Sequence, residues 1–205
     1  MSQYGIFSGY GWLMKEITRR WGRERMLRIR RRAEEELTAL RQACRNLSAG
    51  EKQHVHGTIL PRAAVYRAML EEIPADALPL TEEAVRRAGE RMSALLRGLT
   101  AVPGMRRVFL RIFTLMAKKM FGPPAGFRQV MHRADRNEVR FDITACPYCR
   151  WCELLGCREL IGTFCQSDEY CFGRLSGIRF QRTQTLGSGG DRCDFHLTIE
   201  KQRTE

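Results

Sequence analysis

No run of apolar residues in this chain approaches the roughly 20 that a membrane-spanning helix needs. The stretch from Met1 to Gly11 also lacks the charged start and apolar centre of a secretory signal. We therefore expect a cytoplasmic protein, in which cysteines are thiols, thiolates or metal ligands and disulfides are the weaker interpretation. Only Cys44 lies outside the segment from Cys146 to Cys193, which holds the other seven of the eight cysteines. Thiols this concentrated indicate a site more than a core.

Acidic residues are few relative to basic ones, 23 against 35, which gives a formal net charge of +12 at pH 7. Such a charge attracts nucleic acid or anionic lipid. No zinc-finger, helix-turn-helix or RNP spacing accompanies it, so we expect no specific nucleic-acid partner. Much of the charge falls on predicted helices, within Arg19 to Arg32 and Arg106 to Lys119. The second has a wide apolar stripe typical of a membrane-surface helix, although packing against a sheet is the more ordinary explanation.

Helical periodicity covers most of the first 122 residues. The predicted helices are one from Trp12 to about Leu47, with an interruption at Gly22, and three that begin near Pro61, Thr81 and Pro103. Residues 74–80 are predicted to form a loop. Residues 48–57 are predicted to form a polar connector, in which His54 and His56 would face solvent.

Beyond Gly122 the pattern changes to alternating polar and apolar residues on both sides of a helical, cysteine-rich region. The predicted strands are Phe127 to Ala134, Val139 to Ala145, Ile178 to Leu186 and Cys193 to Ile199. We therefore predict an α+β fold, in which an N-terminal helical segment precedes a ββααββ unit with an antiparallel sheet and helices on one face. Residues 1–122 would form the helical region that packs on the sheet, and residues 123–205 the cysteine-rich α+β region, within one compact domain or as two parts.

Three interpretations compete for the cysteine-rich segment. The string CPYC at residues 146–149 has the spacing of a glutaredoxin site, but a thioredoxin-like fold needs a later proline and none follows Pro147. The four cysteines within 146–157 come near a ferredoxin or structural-zinc spacing, with the last interval one residue too long. The third interpretation treats most of these cysteines as small hydrophobes on helix faces. They are Cys149, Cys152, Cys157 and Cys171.

Four strings between Phe141 and Leu197 resemble the L-2-amino-thiazoline-4-carboxylic acid hydrolase family. They are CPY, LGCREL, FCQSD and FQRTQTLGSGGDRCDF, in this order. The glycine-rich turn before Cys-Asp-Phe is also similar to the end of the 4-vinyl reductase domain, a ligand-binding fold. The first resemblance implies hydrolysis of a cyclic amidine, 2-aminothiazoline-4-carboxylate, at a C–N bond to give S-carbamoylcysteine. His196 stands where family members tend to have arginine, which leaves the exact substrate open.

The catalytic residues that the resemblance implies are Cys146, Cys165 and Cys193, at a predicted helix start, helix end and strand start, together with Asp168. Three thiolates with an open fourth position would hold a zinc ion that activates water. Alternatively, Cys146 attacks the amidine carbon itself. Asp168, three residues after Cys165, would move protons, or would orient the substrate nitrogens, as Asp194 also would.

Arg182 is the predicted partner of the substrate carboxylate, assisted by Thr183 or Thr185. His132, on the first predicted strand, is a further candidate base, although a surface position is its ordinary explanation. The predicted function is therefore a hydrolase that opens a small cyclic amidine, with a small-molecule substrate and zinc as the candidate cofactor. The alternative is a non-catalytic cysteine-based module that binds a ligand or senses metal or redox state. The sequence leaves the oligomeric state open.

Overall fold

The computed structural model describes residues 10–200. Most of the stretch from Met1 to Gly11, which we expect not to be a secretory signal, lies outside this range. Seven α-helices and four β-strands follow one another in that range, and no helix among them is long and apolar enough to cross a bilayer. The helices are α1 Gly11–Ala43, α2 Ala49–His54, α3 Leu60–Glu72, α4 Pro74–Ala101, α5 Met105–Met120, α6 Pro147–Leu154 and α7 Leu160–Phe172. The strands are β1 Arg128–Ala134, β2 Glu138–Ala145, β3 Ile178–Gln181 and β4 Cys193–Ile199.

The helical half of the molecule has its own apolar core. The long helix α1 buries Ile29, Ala33 and Leu37 and packs along α3. The predicted interruption at Gly22 is present as a kink, where a φ of 84° lies in the left-handed region that glycine adopts without steric cost. Cys152 and Cys157 are fully buried in the same core, consistent with the role of small hydrophobes.

The stretch predicted as a polar connector, residues 48–57, is helical. Ser48 caps α2 by accepting a hydrogen bond from the backbone N–H of Glu51, and the Glu51 carboxylate accepts one from the backbone N–H of Ser48. A π-helical turn, Val55–Ile59, then joins α2 to α3. This arrangement turns His54 into the interior, so the expectation that His54 faces solvent is wrong.

The predicted loop at residues 74–80 is also helical and forms the first two turns of α4, with Pro79 inside the helix. Proline removes one backbone donor there. Ala77 and Leu80 are buried in the helical core, and we infer that their burial outweighs the lost hydrogen bond. Thr81 does not cap a helix; its hydroxyl donates to the carbonyl oxygen of Ala77 at 2.8 Å.

The four strands form one antiparallel sheet in the order β1-β2-β4-β3, which confirms the predicted α+β fold. Phe141 lies opposite Phe195 in the register of β2 and β4, and their rings stack 4.8 Å apart. This face of the sheet is buried against Phe109 and Leu110 of α5, whereas the residues that alternate with it are partly buried on β4 and partly buried or exposed on β2. Strand β3 ends at Gln181, earlier than predicted, and a 3-10 turn, Leu186–Ser188, follows.

Candidate active site

A cavity of about 250 Å³ opens where the helical half meets the buried face of the sheet. That volume is just below the roughly 300–1,000 Å³ of sites for drug-sized ligands, so a small ligand fits. Polar and thiol side chains of both halves line it between aromatic rings. They are His54, Thr58, Arg62, Cys146, Tyr148, Cys149, Cys165, Ser167, Asp168, Arg182 and Cys193. The structure thus brings together all four predicted catalytic residues and Arg182.

Cys146 and Cys149 form a hydrogen-bonded thiol pair at the start of α6. Cys146 ends the extended chain of β2 as the N-cap residue, and Pro147 occupies the first helical position, where its missing N–H costs nothing. The hydrogen bond from Cys146 lowers the pKa of the Cys149 thiol, and the N-terminal end of α6 favours the same negative charge. The pKa of Cys146 is raised, because its thiol is the donor of that bond and is buried. Cys149, which the sequence analysis treated as a small hydrophobe, is therefore the thiol of the pair that this hydrogen bond favours as the thiolate, although the backbone N–H groups of Tyr148 and Cys149 act in the opposite sense on Cys146.

Cys165 of α7 and Cys193 of β4 approach the same cavity from two other sides. Burial raises the pKa of Cys165, while its hydrogen bond with the Thr185 hydroxyl opposes that shift. Burial raises the pKa of Cys193 to about 11, although the backbone N–H of Leu186 donates to its Sγ at 3.3 Å. Both thiols are therefore protonated at neutral pH.

Gly187 explains why the turn before β4 is rich in glycine. A Cβ atom at this position would lie 2.7 Å from Sγ of Cys165 and 2.6 Å from Cγ2 of Ile161, closer than real side-chain contacts allow. The missing side chain lets the turn pack directly on α7. The turn and the Cys165 thiol are consequently held against each other.

Asp168 and Arg182 form an ion pair at the rim of the cavity. Nη1 of Arg182 donates to Oδ2 of Asp168 at 2.9 Å, and Nη2 donates to the carbonyl oxygen of Cys165 at 2.7 Å. The guanidinium lies 5.4 Å from the ring centroid of Phe195, a cation-π arrangement. Asp168 keeps 30% of its side-chain surface accessible, but protein surrounds it on the cavity wall, and this burial raises its pKa to about 6 against the opposing pull of Arg182.

Three predicted substrate-binding residues lie outside this cavity. Asp194 accepts hydrogen bonds from the backbone N–H groups of Thr183 and Gln184, each at 2.9 Å, and from the Thr183 hydroxyl at 2.6 Å. Asp194 therefore fixes the bend that ends β3. Thr183 and Thr185 line a separate, more open groove that shares only Cys165 and Arg182 with the cavity. Thr183 and Thr185 can therefore influence a ligand in the cavity only through Cys165 and Arg182.

The two histidines of the sheet, His132 on β1 and His196 on β4, lie outside the cavity. His132 pairs with Asp142 at 2.9 Å and is well exposed, in agreement with the surface position that is its ordinary explanation. His196, which departs from the family pattern, pairs with Glu138 at 3.0 Å on the face that alternates with the buried one. Neither residue lines the cavity.

A buried histidine and a tyrosine form a hydrogen-bonded pair that the sequence analysis did not predict. Nε2 of His54 lies 3.0 Å from the carbonyl oxygen of Met120, which only accepts, so Nε2 carries the proton of the neutral ring. Nδ1 is then the acceptor for the hydroxyl of Tyr148, 3.0 Å away. Burial lowers the pKa of His54 and raises that of Tyr148 to about 12, so both are neutral near pH 7. Thr58, in the π-helical turn, also hydrogen-bonds Tyr148.

The three thiols proposed as zinc ligands line one cavity but form no ligand cluster. Among residues 10–200, no three His, Cys, Asp or Glu side chains lie close enough together to hold a metal ion. Zinc binding by Cys146, Cys165 and Cys193 stays a prediction that this geometry does not support.

Comparison with known proteins finds a family model, L-2-amino-thiazoline-4-carboxylic acid hydrolase, that matches residues 51–197 and so includes every residue of the cavity. No curated protein matches the chain. The structure has a low similarity to the crystal structure of an Fe(II) unliganded H-NOX protein from K. algicida, with 11% identity, 98% of this chain and 97% of that chain covered, and a TM-score of 0.34. A second H-NOX structure, from work on heme distortion in that family, has 12% identity, coverage of 82% and 93%, and a TM-score of 0.27. At these scores neither similarity bears on fold or function.

Proposed function

The chain belongs to the L-2-amino-thiazoline-4-carboxylic acid hydrolase family, and from that premise we propose that it opens a small cyclic amidine, such as 2-aminothiazoline-4-carboxylate, by hydrolysis of a C–N bond. One observation carries the proposal: a thiol pair, a carboxylate-guanidinium pair and a histidine-tyrosine pair line the same small cavity. These groups supply a nucleophile, a base and a proton donor, which are the three functions that amidine hydrolysis requires.

The substrate carries a carboxylate and a basic amidine, so its site needs both a cation and an anion. Asp168 is the one carboxylate among the described residues that line the cavity, and we assign it to the amidine nitrogens. Arg182 already uses Nη1 and Nη2 on Asp168 and Cys165. Arg62 is the second cation that lines the cavity, and its Nε has no hydrogen-bond partner among the described residues although its Nη1 donates to the Thr163 hydroxyl. We therefore assign Arg62 to the substrate carboxylate.

The nucleophile in this proposal is the Cys149 thiolate, which attacks the amidine carbon while Cys146 keeps its proton. The substrate enters as the amidinium ion, whose ring nitrogen already carries one proton. Tyr148 gives up its hydrogen bond to Nδ1 of His54 and delivers a second proton to that nitrogen as the bond to the carbon breaks. Water then adds to the thiol-bound carbon with Asp168 as the base, and the Cys149 thiolate leaves. The water oxygen becomes the carbonyl of S-carbamoylcysteine. One of the two water protons returns to Tyr148 and the other passes to the freed amine, which becomes an ammonium group.

Turnover is tested by incubating the purified protein with 2-aminothiazoline-4-carboxylate and detecting S-carbamoylcysteine by mass spectrometry. We expect product from the wild type and from Cys44→Ser, a control outside the cavity, and none from Cys149→Ser. A wild type that binds the compound in calorimetry without forming product would instead support the alternative, a ligand-binding or sensing module. Absence of both binding and turnover with a panel of cyclic amidines would contradict the proposal.

A further inference from the structure

The outward face of α5 leaves a row of large apolar side chains exposed. Val108, Ile112, Leu115 and Met116 are each between 43% and 61% exposed, and their spacing of three and four residues places them on one stripe of the helix. The opposite side of α5 is committed to the sheet through Phe109, Leu110 and Ala117. The stripe is therefore a surface feature of a helix held parallel to the protein surface.

The end of α4 extends the apolar surface. Leu95, Leu99 and Val102 are also exposed, Leu95 by 71%, and α4 contacts α5 across the turn that joins them. A row of exposed apolar side chains on one helix, with further ones on the helix that contacts it, is unusual on a protein that works alone in water, and such a surface normally has a partner.

Basic residues accompany the stripe, and α5 contains no acidic residue at all. Arg107, Arg111, Lys118 and Lys119 are exposed, and no carboxylate in residues 10–200 forms an ion pair with any of them. Three of them follow one another along one flank of the stripe, at steps of four and seven residues. Because the Debye length is about 8 Å at physiological ionic strength, these unpaired charges act on a surface that touches the helix.

We propose that the outer face of α5, extended by the end of α4, docks on an anionic lipid surface. Apolar side chains enter the boundary between headgroups and acyl chains while Arg107, Arg111 and Lys118 meet the phosphate and carboxylate groups of the lipids. A second copy of this chain is a poorer occupant, because a two-fold contact through this face would bring four unpaired cations of each copy together. The sixteen residues of α5 span about 24 Å, long enough for all four apolar side chains to engage one bilayer face.

Vesicle flotation tests the proposal with the full-length protein. We expect binding to vesicles of phosphatidylcholine with phosphatidylserine, loss of that binding as salt is raised, and little binding to phosphatidylcholine alone. The variant Arg107→Gln/Arg111→Gln/Lys118→Gln should bind about 100-fold more weakly, at roughly fivefold for each basic residue lost. The variant Ile112→Ser/Leu115→Ser keeps every charge and should also lose binding.

A matched control removes the same number of charges elsewhere. The variant Arg23→Gln/Arg31→Gln/Arg45→Gln takes three exposed basic residues from α1 and its C-terminal end, and it should bind nearly as well as the wild type. Equal losses in both triple variants would overturn the proposal in favour of attraction by net charge alone. Equal binding to both lipid compositions would overturn the ionic part, and absence of binding at low salt would overturn the whole. Light scattering that shows a dimer abolished by Ile112→Ser/Leu115→Ser would assign the face to a second copy instead.

Discussion

The guanidinium of Arg182 donates to the carboxylate of Asp168 at 2.9 Å, and the Arg182 side chain is only 8% exposed. The pair is the meeting point of α7 and the end of β3, and it keeps a carboxyl with a raised pKa of about 6 ionised at neutral pH. We expect kcat/KM to rise with pH through about 6, as Asp168 becomes the base that activates water. Asp168→Asn should lose activity by about 100-fold or more and should lack this rise. Glu169→Gln, a change at the exposed neighbouring residue, removes the smallest of the contributions that raise the pKa of Asp168, so it should keep the rise and move it only slightly to lower pH.

Alkylation of the thiol pair reports which sulfur carries the charge. Cys149 should react with iodoacetamide faster than Cys146 at pH 7, because the hydrogen bond from Cys146 lowers the pKa of the Cys149 thiol. Cys146→Ala removes the donor and should shift the pH dependence of Cys149 alkylation upward. Cys146→Ser keeps a donor and should shift it less. Peptide mass spectrometry measures both rates, and faster labelling of Cys146 in the wild type would assign the nucleophile to that residue.

His54 makes the fold less stable in acid. Its pKa in the folded protein lies below the ordinary value of 6.5, so the unfolded chain binds the additional proton first. The contribution of the neutral ring to stability is complete above pH 6.5 and is lost as the pH falls below that value. Urea unfolding between pH 7 and pH 5 measures this contribution as the difference between the wild type and His54→Gln, which is uncharged throughout. As the pH is lowered, the free energy of unfolding of the wild type should fall relative to that of His54→Gln.

Asp168 acts on stability with the opposite sign. Its pKa rises from 3.8 in the unfolded chain to about 6 in the fold, so the stability that its protonated form contributes is present below pH 4 and is lost as the pH rises through 6. In Asp168→Asn this loss disappears, and the acid sensitivity due to His54 should stand out more clearly. Urea unfolding of that variant between pH 4 and pH 7 measures the difference. We expect the free energy of unfolding to fall more steeply toward acid pH in Asp168→Asn than in the wild type.

The position of Cys193 was predictable, because it begins a strand whose alternation is clear in the sequence. Cys165 was predicted at a helix end but lies inside α7. The position of His54 was not predictable, because a six-residue helix is too short for periodicity to register. The Ser48-x-x-Glu51 spacing of its capping box was the one local signal that would have revealed the helix. The burial of His54 depends on Tyr148, 94 residues later, and no local pattern carries that information.

Two other features of the site depend on distances that sequence does not contain. The choice of Cys149 over Cys146 rests on which thiol donates to the other, although both occupy the first turn of α6. In the sequence, Arg62 is one of many basic residues that fall on predicted helices. Its position follows from the packing of α3 on α7, where its Nη1 donates to the Thr163 hydroxyl at 3.2 Å and its guanidinium stacks 3.9 Å from the ring centroid of Phe164. The number and spacing of charged residues along the chain do not show which side chains they contact in the folded protein.

The packing of α4 on α7 offers a stability test with an internal control. A Cβ atom on Gly89 would lie 2.5 Å from Cβ of Tyr170, so the two helices approach closely only because residue 89 has no side chain. Gly89→Ala should destabilise the fold by about 1–3 kcal/mol, since the helices have to separate. Gly98 lies in the same helix, and a Cβ atom added there would meet no other atom within 4 Å. Gly98→Ala should therefore stabilise the fold by about 0.5–1 kcal/mol through the better helix propensity of alanine. Opposite shifts of the urea midpoint would confirm both expectations, whereas a stabilised Gly89→Ala would show that α4 and α7 are not in contact at Tyr170.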